Sequence, residues 1–275
     1  VDAPPQWSHP VYDAYARAFQ TIQDAIASCV CYQINHTFRL QGTFADDPWM
    51  LYRWLCSTQP ALYGGYVQFG ERQVLSRSPE LFIKKRGSTV RSEPMKGTAK
   101  RFADPVKDQK SLDTLRHDPK MQAENLMIVD LIRNDLSKVA KPQSVRVPEL
   151  FATRSLKSVH QISSIVDAEL NQNVGLVALL SALFPCGSVV GAPKTKALEL
   201  IQSLEADARG LYTGSLGHLE PNGDLTLSVA IRTIELESGR ATLGLGSGLV
   251  ADSDLQAEWA ECLLKGRFAG VHFES

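Results

Sequence analysis

The chain has 275 residues, 44% of them hydrophobic, enough to bury a sizeable core as one large domain or two small ones. With 29 Lys+Arg against 30 Asp+Glu the formal charge is -1, so no global field draws in nucleic acid or an acidic membrane, and a nucleic-acid binder is disfavoured. The cysteines (Cys29, Cys31, Cys56, Cys186, Cys262) are odd in number and scattered, which suits a reducing compartment, and Cys29-x-Cys31 lacks the second pair that zinc needs. No apolar run reaches the ~18 residues of a membrane helix, and Val1-Asp2-Ala3-Pro4-Pro5 has no signal-peptide layout, so the cytosol is the expected location and no membrane partner is expected.

After the Pro-rich lead-in, Val11, Tyr15, Phe19, Ile22 and Ile26 recur at helical spacing and predict an amphipathic helix over 10–28. Branched and aromatic residues predict strands from Cys29 to Leu40 and from Tyr63 to Leu75, then a hairpin from Leu81 to Val90 about Arg86-Gly87-Ser88. The next stretch, Arg91 to Lys100, reads as a loop holding Lys96 between Pro94 and Gly97. A lysine in such a turn is ordinarily solvated; buried beside a metal it could lose its proton and become a nucleophile. Asp118-Pro119 offers an N-cap and a proline at the first helical position, opening a helix through Asp135 with Leu126, Met127, Val129, Leu131 and Ile132 as apolar members and Glu124 in its first turn.

Strands are predicted for Ser144 to Val147 and Val159 to Leu170, followed by a helix from about Val174 to Leu183. The loop Phe184 to Lys194 leads into a helix with Ala197, Leu200, Ile201 and Leu204 on one face. Leu211 to Leu219 and Leu225 to Leu236 form a hairpin about Pro221-Asn222-Gly223-Asp224, and Ala241 to Val250 adds a third strand. Ser253-Asp254-Leu255-Gln256 has the form of a capping box and opens a last helix to about Phe268. Strands come in runs separated by helices, which predicts an α+β fold with large antiparallel sheets.

Several constellations carry chemistry only in combination. Glu258, Glu261 and Lys265 share about one face of the last helix, and a carboxylate pair from separate helices suits Mg2+, which takes its other ligands from substrate and water. On the strand Leu225 to Leu236, Thr226, Ser228, Ala230 and Arg232 form one small-residue face ending in a guanidinium, a floor for a carboxylate. Gly244, Gly246 and Gly248 mark either bulges or places where a ligand approaches the backbone, but no βαβ unit makes them a dinucleotide site. Gly187 to Thr195 fails the P-loop spacing. His160 has apolar neighbours, the setting of a core histidine, and Glu80 lies in a turn.

In order along the chain, Tyr32-Gln33-Ile34-Asn35, Ser78-Pro79-Glu80, Pro94-Met95-Lys96-Gly97-Thr98, the run Ala123 to Asp135, Val159-His160, Gly191-Ala192-Pro193-Lys194, Ile231-Arg232-Thr233, the run Gly246 to Ser253 and Ala257-Glu258-Trp259-Ala260-Glu261 together resemble the chorismate-utilising enzymes. That family includes anthranilate synthase component I, isochorismate and salicylate synthases and aminodeoxychorismate synthase component I. The resemblance implies an α/β sandwich with helices outside, a single chorismate-binding catalytic domain over 1–275, and an active site between the sheets. Residues 1–28 would be a lead-in and helix, without the longer N-terminal segment usual in the family.

By motif position, the resemblance implies that Glu124 and Glu261 bind Mg2+ directly and Glu258 through water, the metal holding the ring carboxylate of chorismate. Tyr212, Arg232, Lys265 and the backbone at Gly246 and Gly248 would hold the enolpyruvyl carboxylate and its neighbours, with Thr98 and Ser188 among the substrate contacts. Glu80 would protonate the departing C4 hydroxyl, and His160 would orient or assist at that edge. Members that add water use a lysine base where this chain has Gln33. Anthranilate synthases carry alanine where Lys96 stands, whereas the aminodeoxychorismate enzymes carry this lysine as a covalent nucleophile. The expected activity is therefore amination of chorismate at C4 for folate synthesis, with ammonia from a glutamine amidotransferase subunit. Rival expectations are an anthranilate-type conversion and, from another class, a non-catalytic chorismate-binding subunit. Met121 stands where members commonly carry a further carboxylate, and His218 where a tyrosine is frequent.

Overall fold

The computed structural model of the chain describes residues 4–155 and 159–273. The first three residues of the expected lead-in lie outside them. The elements begin with β1 (Gln6–Trp7), α1 (Tyr12–Ala27), β2 (Gln33–Thr43), α2 (Pro48–Thr58), β3 (Tyr63–Phe69), β4 (Arg72–Ser78), β5 (Leu81–Arg86), β6 (Thr89–Glu93) and β7 (Met95–Lys100). Next come α3 (Pro105–Arg116), α4 (Pro119–Ser137), β8 (Arg146–Ser155), β9 (Val159–Glu169) and α5 (Leu176–Leu183). The remainder is β10 (Gly191–Ala192), α6 (Lys194–Leu204), β11 (Ser215–Leu219), β12 (Leu225–Val229), β13 (Thr233–Glu237), β14 (Arg240–Leu249) and α7 (Leu255–Gly266).

The chain divides into two compact units and passes from one to the other four times: the first is Val1–Pro79, Val189–Leu216 and Val229–Ser275, the second Glu80–Ser188 and Gly217–Ser228. The first unit holds an antiparallel sheet in the order β1-β2-β14-β13-β4-β3, with β10 also on β2. Its spine is the pairing of β14 with β2 from Arg240↔Thr43 to Leu249↔Ile34. Apolar side chains seat the helices. Phe19 and Ile22 of α1 and Ala197 and Ile201 of α6 pack with Ile34 and Leu249, while Leu51 and Leu55 of α2 join Leu40, Leu75, Ile234 and Leu243. Tyr15 of α1 meets Trp259, Cys262 and Leu263 of α7.

The second unit holds an antiparallel sheet in the order β11-β12-β5-β6-β9-β7, with β8 on the other side of β9. Helices α3 and α4 pack on β7 and β9, and α5 packs on α4. The α+β class with large antiparallel sheets is therefore as expected. Each of α2, α3 and α4 opens on Asp-Pro: the Asp47, Asp104 and Asp118 carboxylates accept from Trp49 N–H at 2.9 Å, Val106 N–H at 2.8 Å and Lys120 N–H at 2.9 Å. Such caps contribute about 1 kcal/mol each, and the proline occupies a position with no amide to lose.

Five local expectations are corrected. Lys96 lies on a strand, β7, because the backbone from Met95 to Lys100 pairs with β9. Val11 does not join the buried face of α1, since it precedes the first turn and is exposed. On α4 the buried positions are Asn125, Ile128, Val129, Ile132, Asp135 and Leu136, leaving Leu126 exposed, and Glu124 lies in the second turn. The stretch Leu225 to Leu236 is two strands in different sheets, β12 and β13, because Arg232 at φ 49 turns the backbone between them, so Arg232 does not continue the small-residue face of Thr226 and Ser228. At the last helix, Asp254 rather than Ser253 is the cap, accepting from Ala257 N–H at 2.9 Å.

On β2, His36 is buried opposite Ser247, and its Nδ1 has no hydrogen-bond partner among the described residues. Burial pulls its pKa from 6.5 down to about 4; Glu205 opposes that fall and Arg209 adds to it. Between those values the unfolded chain binds a proton that the fold excludes, so the stabilisation is complete above pH 6.5 and is lost as pH falls toward 4. Its size is about 3 kcal/mol. Urea unfolding of His36→Gln is expected to show a flatter stability profile across that window; an unchanged slope would remove His36 as its source.

Candidate active site

In the second unit the lysine motif is built by a strand and two helices. Lys96 lies opposite Ile162 of β9, and the register shifts between Lys96 and Thr98. Gly97 makes that shift possible, since its φ of 74 is strained for any side chain and an added Cβ would meet Leu115 of α3 and Met121 of α4 at 3.2 Å. The backbone of the motif is thus clamped under both helices. Lys96 itself is half-buried, and its amine makes no hydrogen bond or ion pair among the described residues. Thr98 is exposed and lines a cleft of about 510 Å³ with Phe102, Lys107, Lys110, Ser111 and Met121.

The same unit carries the predicted residues Glu80, Glu124, His160 and Ser188. Glu80, just before β5, is buried. Glu124 is half-buried on α4, one turn beyond Met121. His160 of β9 is buried, with Ser155 Oγ 2.8 Å from Nδ1 and Asp108 Oδ1 3.1 Å from Nε2. Ser188 is buried in a single turn, its Oγ 3.2 Å from Cys186 Sγ.

In the first unit a separate set converges on β14 and α7. Lys265 of α7 donates to the Gly246 carbonyl at 2.9 Å and pairs with Glu261 at 2.7 Å. Burial pulls its ammonium pKa down, but Glu261, Cys262 and Tyr212 outweigh that and leave it raised, so the amine stays charged. Two turns before Lys265, Glu258 is buried and accepts from Ser253 Oγ at 2.6 Å. Tyr212 is buried against Gly244, and the Arg39 guanidinium lies 4.7 Å from its ring centroid. Burial, chiefly, pushes the Tyr212 phenol up, keeping it a hydrogen-bond donor. Arg232 makes no side-chain hydrogen bond or ion pair among the described residues, and burial pulls its pKa down. An unpaired guanidinium so placed suits an anionic ligand.

A Cβ at Gly244 would come within 2.2 Å of the Tyr212 ring. Gly244→Ala is therefore expected to displace that ring and its cation partner, destabilising the fold by about 1–3 kcal/mol. Thermal unfolding within about 2 °C of the parent would show that the ring relocates without strain.

Among the described residues no three of His, Cys, Asp or Glu gather into a group able to hold a metal ion. The predicted ligands nonetheless fit Mg2+ in kind: all are carboxylates, and Glu258 and Glu261 lie three residues apart on α7. That ion needs only one or two protein carboxylates beside water and substrate. Gln33, the position that distinguishes the water-adding members, is fully buried on β2, and neither atom of its amide has a partner among the described residues.

The family model for chorismate binding enzymes matches residues 5–269. The chain belongs to the chorismate-binding enzyme family. It is 41% identical over 249 residues to aminodeoxychorismate synthase component 1 of Klebsiella aerogenes, covering 90% of this chain and 55% of that protein. To anthranilate synthase component 1 of Streptomyces coelicolor it is 39% identical over 246 residues, covering 89% and 48%. The crystal structure of anthranilate synthase component I from Streptococcus pneumoniae superposes with a TM-score of 0.88 at 30% identity, covering 97% of this chain and 60% of that one. The chain thus spans about half the length of the curated relatives it matches.

In this chain two side-chain companions escape sequence reasoning. Asp108 reaches His160 from a helix whose Asp104-Pro105 opening was its only local signal, and Arg39 reaches Tyr212 across a sheet with none. Among the described residues no helix is long and apolar enough to cross a membrane.

Proposed function

We propose that this chain aminates chorismate at C4, giving 4-amino-4-deoxychorismate and water, with ammonia supplied by a glutamine amidotransferase partner. The observation that carries the reading is Lys96: a half-buried amine without a partner among the described residues, in the family's Pro-Met-Lys-Gly-Thr motif, where a lysine marks the C4-aminating branch. Its neutral amine attacks C2 as the ring double bonds shift and the C4 hydroxyl leaves, taking a proton from Glu80. Ammonia then attacks C4, the double bonds shift back, and the lysine leaves C2. Two easier substitutions replace one hard one.

Arg232, Tyr212 and Lys265 hold the enolpyruvyl carboxylate, Thr98, Ser188 and the backbone at Gly246 and Gly248 complete the substrate contacts, and His160 assists at the C4 edge. Glu124, Glu258 and Glu261 are the side chains that would hold Mg2+, which would supply positive charge for the ring carboxylate. Gln33, a neutral amide, cannot act as the base that hydration requires, which supports amination over isochorismate formation.

The 39% identity to an anthranilate synthase favours a second reading, amination at C2 with loss of pyruvate. Incubating the chain with chorismate, Mg2+ and ammonium and resolving the products separates the two. The 4-amino product is expected. Anthranilate or isochorismate in its absence would overturn the proposal, and unchanged chorismate that binds only with Mg2+ would point to a binding subunit.

A further inference from the structure

His160 is the one predicted catalytic group whose two reactive atoms are both engaged. Ser155 Oγ lies 2.8 Å from Nδ1 and Asp108 Oδ1 lies 3.1 Å from Nε2. A carboxylate only accepts, so Nε2, which faces it, carries a proton; in the neutral ring Nδ1 is then the acceptor for the Ser155 hydroxyl.

Asp108 is itself fixed. Arg101 Nε donates to both of its oxygens at 2.9 and 3.0 Å, and the Phe102 N–H donates to Oδ1 at 2.8 Å. It also lies in the first turn of α3, at the positive end of the helix dipole. Those contacts, led by Arg101, hold its pKa down at about 2, so the group facing the imidazole is a carboxylate throughout the neutral range. Two of its three charge-bearing or donor neighbours, Arg101 and Phe102, belong to the segment before the same helix. The third is the buried ring on β9, across which the β7 residue Ala99 pairs one step from Thr98.

We infer that Asp108 is a positioning residue for His160, holding the imidazole as the Nε2–H tautomer at a set orientation beside the lysine-bearing strand, with Arg101 keeping the carboxylate in place. The inference rests on His160 taking part in chorismate conversion. It adds to that reading a residue from α3 that makes the histidine's orientation depend on how this helix is seated. The alternative is a staple that only fastens α3 to the sheet.

The two differ in how substitutions combine. On the full chain, Asp108→Ala is expected to lower kcat about 10- to 100-fold with KM changed less than about threefold, and the Asp108→Ala/His160→Gln double variant is expected to be no slower than His160→Gln alone. Asp108→Asn keeps an acceptor oxygen and so keeps α3 docked; it is expected to lose less. A proton resonance bonded to imidazole nitrogen, assigned by its disappearance in His160→Gln, is expected to be slow to exchange in the parent and absent in Asp108→Ala. This readout needs no turnover. Rates in the double variant that fall by the full product of the single losses would overturn the inference while leaving His160 in the reaction, as would a resonance that persists in Asp108→Ala. A His160→Gln variant with the parental rate would instead overturn the role of His160, and the inference with it.

Discussion

Replacing Lys96 by alanine is expected to lower formation of 4-amino-4-deoxychorismate by about a thousandfold or more, while the affinity for chorismate changes by less than about fivefold. The amine is assigned to bond making rather than to ligand holding, so its loss falls on kcat. The strand that presents it remains, because β7 is held by its backbone pairing with β9 and by Gly97 under Leu115 and Met121, none of which involves the Lys96 side chain. Product analysis under ammonium and Mg2+ measures the rate, and calorimetry measures the binding. Intact mass of the parent mixed with chorismate in the absence of ammonia is expected to show an adduct that maps to Lys96 and is missing from the alanine variant. Retention of the total amination rate by Lys96→Ala would exclude covalent catalysis and favour the anthranilate-type reading.

A second large effect is expected on stability, from Arg209→Met. Arg209 and Glu205 are joined by two hydrogen bonds, Nε to Oε2 at 2.9 Å and Nη2 to Oε1 at 2.7 Å, with side chains only 15% and 5% exposed. The same guanidinium donates to the carbonyls of Asn35 and Val189 at 2.7 Å each, and Glu205 accepts the Thr37 N–H at 2.9 Å. Removing the arginine leaves a buried carboxylate without its cation and two carbonyls without donors. A loss of about 3–5 kcal/mol in urea unfolding at pH 7 is expected. The double variant Glu205→Leu/Arg209→Met is expected to recover a large part of it, since the buried carboxylate then goes with its cation. A single variant within 1 kcal/mol of the parent would show that water reaches Glu205.

Many strands of this fold are legible in order because β-branched runs are bounded by turn residues, as at Arg86-Gly87-Ser88 and Asn222-Gly223, whereas Tyr63 to Leu75, expected as one strand, runs into two, β3 and β4, and β7 falls where a loop was expected. Helix α3 is not, although it begins with the same Asp-Pro device as α4: only Leu115 is buried along it, so no apolar period betrays it. The break between β12 and β13 is silent for a different reason. Apolar residues alternate on both sides of it, with only a change of phase between Ile231 and Ile234, and the left-handed turn falls on Arg232, a residue type that does not advertise positive φ. Candidate site residues were legible as a set of motifs, while their company was not. Nothing local in Val159-His160 names Asp108, 52 positions away, as the partner of its ring.

The pairing of β2 with β14 carries a consequence for how the molecule is made. These two strands lie side by side in the first unit's sheet, yet they are about two hundred positions apart in sequence, Ile34 against Leu249 and Thr43 against Arg240. During synthesis β2 leaves the ribosome with no neighbour on that side, and about two hundred further residues must be added, at roughly 5–20 per second, before β14 arrives. For those ten or more seconds its exposed edge and the apolar faces of α1 and α2 depend on chaperones or on transient contacts. Residence on the ribosome, rather than the final stability of the sheet, then becomes the stage at which this chain is most open to aggregation.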